Sequence, residues 1–159
     1  MVSHPGPDRP TPHAKVPLWA GVLEVGSCNH LGGNVMGASS PSEASKLFEQ
    51  RFADGDLDGL MDLYEDDAVF TNAQGAHEGP EAIREVLAGY LSTGASIVMN
   101  DSVSFKAGEL ALVHWAWTMN FPDGRVAEGA TAEVLRHQPD GSWKFIIDNP
   151  DGPALIGHD

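Results

Sequence analysis

Cysteine is nearly absent from this 159-residue chain, in which Cys28 stands alone. One thiol excludes an intrachain disulfide and a cysteine-built metal site, and it suits a reducing compartment, so a cytoplasmic location is expected. Positive charge is scarce as well. Nine Lys and Arg face 23 Asp and Glu, the formal net charge is −14, and no two basic residues are adjacent. Phosphate binding needs clustered cations, so neither nucleic acid nor an anionic membrane surface is expected as a partner. Long apolar runs are missing too, for no stretch reaches the ~20 residues of a membrane helix. The nearest candidate, residues 16–25, is interrupted by Pro17 and Glu24 and follows no cationic segment. The seven histidines show no H-E-x-x-H or comparable spacing, so no metal site is expected.

What is present suffices for one core: 42% of the residues are hydrophobic, in a chain too short for two ordinary domains. Residues 1–39 read as a flexible N-terminal tail, with His4-Pro5-Gly6-Pro7, Pro10-Thr11-Pro12 and the aperiodic Leu31-Gly32-Gly33-Asn34. Its charges, Asp8, Arg9, Lys15 and Glu24, cancel, so the acidic excess belongs to the domain. Two alternatives stand beside the tail: a start at Met36, or a strap using Leu18, Trp19, Val22 and Leu23. The domain is expected over 40–152, with a short C-terminal tail at 153–159.

Ser40-Pro41-Ser42-Glu43 marks a helix start, with an N-cap Ser, a Pro at the first helical position and a Glu three residues after the cap. Gly55 ends that helix and Asp56 caps the next, where Leu57, Leu60, Met61 and Tyr64 recur at helical spacing. The acidic run Glu65-Asp66-Asp67 is read as the end of this second helix and as a solvated face, and 68–71 as a strand delivering Asn72. Gly79-Pro80 opens a third helix, with Ile83, Val86, Leu87, Tyr90 and Leu91 on its buried face and Gly94 as its stop. Strand-like runs follow at about 96–106, 109–119, 125–138 and 142–149, separated by turn residues, which implies an antiparallel meander. Helices first and strands after predicts an α+β domain with three N-terminal helices on one face of a curved, mostly antiparallel sheet.

This order resembles the NTF2-like superfamily, which includes ketosteroid isomerases and SnoaL-like polyketide cyclases. FADGDLDGLMDLYEDDAVFTN followed by HEGPEAIREVLAGYL looks like its helix–helix–strand–helix opening, and EVLRHQPDGSWKFIIDNPDG like the closing hairpin of its SnoaL-like and DUF4440-type members. The resemblance spans about 40–152. It implies a cone around an apolar pocket, a sheet whose outer face pairs two subunits, and chemistry without a cofactor. The run 112–119 fits, being apolar on both parities: Leu112, His114, Ala116 and Thr118 against Val113, Trp115, Trp117 and Met119. Homodimerisation through the sheet is therefore expected.

Matched to the ketosteroid isomerases, Asn72 stands where their general-base Asp lies, and an amide cannot take up a proton near neutral pH. Phe48 stands where they carry a Tyr donor, Glu133 at the place of their second acidic donor, and Tyr64 matches a pocket tyrosine. Steroid isomerisation is not expected. The same register is read as placing His114, Glu133 and Asp148 on one pocket-facing parity, an acid/base set in which the carboxyl pKa values are pushed apart. The alternative is that the carboxyls bond neighbouring strands or solvent and that His114 is structural. Phe48, Phe52, Tyr64, Phe70, Asn72, Tyr90 and Ala116 are the candidate ligand contacts, although aromatics at these spacings also serve as plain core. His77 reaches for the pocket mouth or sits exposed, His137 is read as solvated, and Trp143 as core or dimer sheet.

The chain is expected to bind a small hydrophobic molecule, with cofactor-independent acid/base chemistry of the cyclase, isomerase or hydration type as the sharper form. A non-catalytic binding or association module is the alternative. Epoxide hydrolysis through an Asp–Arg–Asp arrangement is less favoured, because Arg125 and Arg136 are the only strand arginines and Arg136 lies off the parity of Glu133.

Overall fold

The computed structural model describes residues 37–152. The readings that fall on the two tails, the strap included, lie outside the described residues. Helix α1 (Pro41–Asp54) starts at Ser40, whose side chain accepts the Glu43 backbone N–H at 3.2 Å. Glu43 reaches past this cap to accept the Ser39 N–H at 2.6 Å. The helix stops at Gly55, whose φ of 67° is a conformation glycine adopts without a Cβ clash. Helix α2 (Leu57–Met61) is capped by Asp56, which accepts from Gly59 N at 2.9 Å.

The second helix is shorter than its sequence suggests. Tyr64 and the acidic residues Glu65, Asp66 and Asp67 do not end it but open strand β1 (Tyr64–Asn72). The reason is tertiary: Phe145 donates its N–H to the Leu63 carbonyl at 2.8 Å, and Tyr64 pairs in parallel with Phe145. Backbone bonds to the sheet override the helical spacing of the side chains. After β1 the chain forms a further strand, β2 (Gly75–Glu78), not among the strands expected from the sequence, and then helix α3 (Gly79–Ser92).

Strands β3 (Ser96–Ala107), β4 (Leu110–Asn120), β5 (Val126–Ala130), β6 (Glu133–His137) and β7 (Trp143–Asp148) complete a seven-stranded sheet. Its order is β2-β1-β7-β6-β4-β3, with β5 also on β4; β1 and β7 run parallel and every other pair antiparallel. The result is an α+β fold with a curved, mixed sheet and three helices. The run expected as one strand over 125–138 is two strands in one register, since Ala116 faces Ala130 and Val113 faces Glu133. It breaks at Thr131, where Trp115 N donates to Thr131 Oγ1 at 3.1 Å, and at Ala132, whose N–H turns to the Asn149 carbonyl at 2.9 Å.

Helix α1 packs on β3 and β4, and α3 on β1 and β2. Leu60, Leu63, Ile83, Leu87, Val113 and Leu135 are fully buried on the inner side. On the outer side Val103, Phe105, Leu110, Leu112 and Ile147 are each more than 40% exposed, so nothing in the described chain covers that face.

Gly129 lies across from Trp117, and a Cβ there would come within 2.5 Å of the indole. Gly129→Ala should therefore force the ring aside and cost about 1–3 kcal/mol. Urea unfolding followed by tryptophan fluorescence checks this, and wild-type stability would contradict the packing described.

Candidate functional site

Between the helices and the inner sheet face lies a cavity of about 250 Å³. Helix α1 lends it Phe48 and Phe52, α3 lends Leu87 and Tyr90, and β1 lends Phe70. Ile97 and Met99 of β3 line it together with Trp115, Trp117 and Met119 of β4. Three carboxyls interrupt this apolar wall: half-buried Asp151, and two buried ones, Glu133 from β6 and Asp148 from β7, exposed by only 4% and 5%. Pro150 and Asp151, just beyond β7, close one side, and the Trp117 indole N–H holds that segment through the Pro150 carbonyl at 2.9 Å.

The two acids face inward for different reasons. Glu133 sits directly opposite Val113, and cross-strand partners share a face. Asp148 depends on a bulge: Leu135 pairs with Phe145 but Val134 with Ile147, so Ile146 is the extra residue. Trp143 and Phe145 point inward before the bulge, and Asp148 again after it, while Ile147 is exposed.

Each acid has a donor built beside it. The Tyr64 hydroxyl donates to Asp148 Oδ2, and the Trp115 indole N–H to Glu133 Oε2. The Thr131 hydroxyl adds a second bond to Glu133. Burial dominates the energetics even so. Loss of solvation and then the nearby Asp148 charge push the Glu133 pKa well above the usual carboxyl range. Burial raises Asp148 to about 6 despite the Tyr64 hydrogen bond, which acts the other way. Burial and the Asp148 charge likewise push the Tyr64 phenol well above its ordinary value. Because the Asp148 charge raises Glu133 and not the reverse, Asp148 is the first of the two to ionise.

The other candidate residues divide. Phe48, Phe52, Phe70 and Tyr90 line the cavity, and Tyr64 lies under it, tilted against Phe145 with ring centroids 5.2 Å apart. Asn72 is buried but does not line the cavity, and accepts from Gln74 N at 2.9 Å and His77 Nε2 at 3.2 Å. His114 and Ala116 take positions that differ from the expected ones. They alternate with Trp115 and Trp117, so they lie on the outer side of β4, and His114 Nδ1 donates to the Thr131 carbonyl at 2.8 Å. The shared parity of His114 with Glu133 is thus corrected, since Glu133 goes with Val113. The tight turn after β4, where Phe121 N bonds Arg125 O at 2.9 Å, fixes that register and carried the information. It would also have brought in Trp115, Trp117 and Met119, which sequence reasoning passed over as ligand contacts. Arg136 pairs with Glu65 at 2.8 Å and Arg125 with Asp123 at 2.6 Å, and neither lines the cavity, so no Asp–Arg–Asp arrangement forms there. Among the described residues no cluster fit for a metal ion occurs and no helix is long and apolar enough to cross a membrane.

Residues 44–146 match the family model of the SnoaL-like domain, and the chain belongs to that family. Solved structures agree on the fold. An NTF2-like protein of unknown function from Pseudomonas putida KT2440 superposes with a TM-score of 0.60 at 20% identity, over 67% of this chain and 80% of that one. A candidate dehydratase of the NTF2-like family from Streptomyces avermitilis gives 0.58 at 16%, over 68% and 90%. A candidate ketosteroid isomerase from Shewanella frigidimarina gives 0.56 at 14%, over 67% and 89%. No curated protein matches the sequence.

A carboxyl whose pKa is raised on folding binds its proton more tightly in the native state. Its contribution is full below the ordinary carboxyl range and is lost as pH rises toward the folded value, here about 6 for Asp148. The gap in unfolding free energy between Asp148→Asn and wild type should therefore grow in favour of the variant between about pH 4 and about pH 7, by on the order of 2–3 kcal/mol. Urea titrations across that range measure it, and parallel pH profiles would contradict the burial assigned to Asp148.

Proposed function

We propose that this SnoaL-like chain binds a small, largely apolar organic molecule in the cavity and moves a proton on it without a cofactor. The observation that carries this reading is the pair of buried, inward-facing carboxyls in a largely apolar, aromatic wall. Buried acids whose pKa values differ supply both halves of acid/base catalysis at one pH. Glu133, neutral, is the proton donor, and Asp148, ionised above about pH 6, is the acceptor. Tyr64 positions Asp148 through its hydroxyl, Trp115 and Thr131 position Glu133, and Tyr90 and the phenylalanines hold the ligand body. Reactions that shift one proton on a carbon framework, such as isomerisation, cyclisation or loss and addition of water, suit this set. His114 has no part in it, given its place on the outer face.

A second reading has its own support. Both acids already receive hydrogen bonds from the protein, and among the described residues no buried side-chain polar atom lacks a partner. The cavity would then be a binding chamber without turnover. The two are separated by screening small carbonyl and hydroxyl compounds for a thermal shift and then assaying the binders for conversion. If the acids act chemically, Glu133→Gln and Asp148→Asn each lower turnover by roughly 10²–10⁴-fold while binding persists. Unchanged conversion in both, or none in wild type, leaves only the binding reading.

The open outer sheet face supports a homodimer, because an apolar patch of this kind marks an association surface. A cytoplasmic location fits the single cysteine. Phe105→Glu, at the most exposed of these apolar residues, should shift the sedimentation coefficient from dimer to monomer. A wild-type monomer at tens of micromolar would exclude the pairing.

A further inference from the structure

The cavity wall carries charge of one sign only. Its titratable groups are Glu133 from β6, Asp148 from β7, Asp151 just after β7 and the Tyr90 phenol from α3, with the Tyr64 phenol of β1 behind Asp148. The remaining walls are neutral: Ser45, Phe48 and Phe52 from α1, Ile97 and Met99 from β3, and tryptophans from β4. Among the described residues no lysine, arginine or histidine lines the space. We propose that the ligand is an apolar amine, bound as its ammonium cation by Glu133 and Asp148 and enclosed by aromatic rings. This rests on the small-molecule reading of the cavity and is independent of whether a proton is moved on that ligand.

Three physical points carry it. A ligand carboxylate or phosphate would bring a second negative charge beside Asp148 in a space without a counter-cation, where like charges repel most strongly. A neutral ligand leaves the Asp148 charge buried and unpaired, which is costly. An ammonium ion neutralises it, and its three N–H donors match carboxyl lone pairs left over from the Tyr64 and Trp115 bonds. Phe48, Phe52, Phe70, Trp115 and Trp117 also line the space, and the face of an aromatic ring attracts a cation. At longer range the net charge of −14 favours the approach of a cation over an anion. Pairing with the cation must outweigh the loss of ammonium hydration, and the enclosed, doubly acidic wall is what makes that favourable.

The test is calorimetric titration of the full chain with three probes of one shape: naphthylmethylamine, naphthylmethanol and naphthoic acid. The amine should bind about tenfold or more tighter than the alcohol, which corresponds to one well-placed charge pair, and the acid weakest. Asp148→Asn should bring the amine down to the level of the alcohol while alcohol binding stays, which also shows that the cavity remains folded. Should that variant lose the alcohol too, wild type decides by itself. Between about pH 5 and about pH 7.5 the preference for amine over alcohol should rise as Asp148 ionises. Alcohol binding as tight as amine, or a preference that ignores pH, overturns the amine proposal and leaves the small-molecule cavity standing. Failure of all three probes to bind overturns both.

Discussion

Two buried carboxyls share one largely apolar cavity without a cation between them, and the rest of the structure is arranged around that constraint. Ionising both would place like charges in a low dielectric, so burial raises both and Glu133 is left protonated when Asp148 is not. Hydrogen bonds from Tyr64, Trp115 and Thr131 reduce the cost without removing it. Each of these donors comes from a strand other than the one carrying the acid it serves, or from across a break in it. The acids therefore link β1 to β7 and β4 to β6, and the electrostatics of the site and the order of the sheet cannot be changed separately.

Two irregularities do the placing. The break at Thr131–Ala132 frees the Thr131 hydroxyl to bond both the Trp115 backbone and Glu133. The bulge around Ile146 turns Asp148 inward, two residues short of the Pro150 carbonyl that the Trp117 indole holds. A perfectly regular β7 would show the Asp148 side chain to the outer face and put Ile147 over the cavity. The irregularities are thus what converts a packed sheet–helix interface into a chamber with polar groups at chosen points.

The fold was legible because its strongest signals are local. The Ser40 cap, the stop at Gly55, the start at Gly79-Pro80 and the turn residues between strands act within a few residues, and the resemblance they build to SnoaL-like proteins is met by the family match over 44–146. The errors lie where distant contacts decide. Tyr64 has helical spacing but takes a strand because Phe145 and Leu63 pair across the sheet. β2 has no apolar pattern of its own and exists only through its pairing with β1. In the site, the family resemblance and strand parity point to Glu133 and Asp148, yet the parity that joins them to His114 is off by one. Counting back from the 121–125 turn corrects Glu133; nothing local in the sequence announces the bulge that turns Asp148 inward.

A wall that had only to stay closed would gain nothing from these acids. An apolar side chain of similar size at either position would fill the same volume without the desolvation cost, and such replacements are often neutral or stabilising. Nor is the pair required to satisfy its donors, since the Trp115 indole and the Tyr64 hydroxyl would be placed differently in a wholly apolar core. What the carboxyls add is a difference between contents of the cavity. In the proposed function they discriminate by charge and by proton affinity, two properties that shape and hydrophobicity do not read. In the proposed function their energetic cost is offset when the cavity holds a molecule that interacts with them, so the ligand is to be sought by what Glu133 and Asp148 bind rather than by the aromatic rings that surround them.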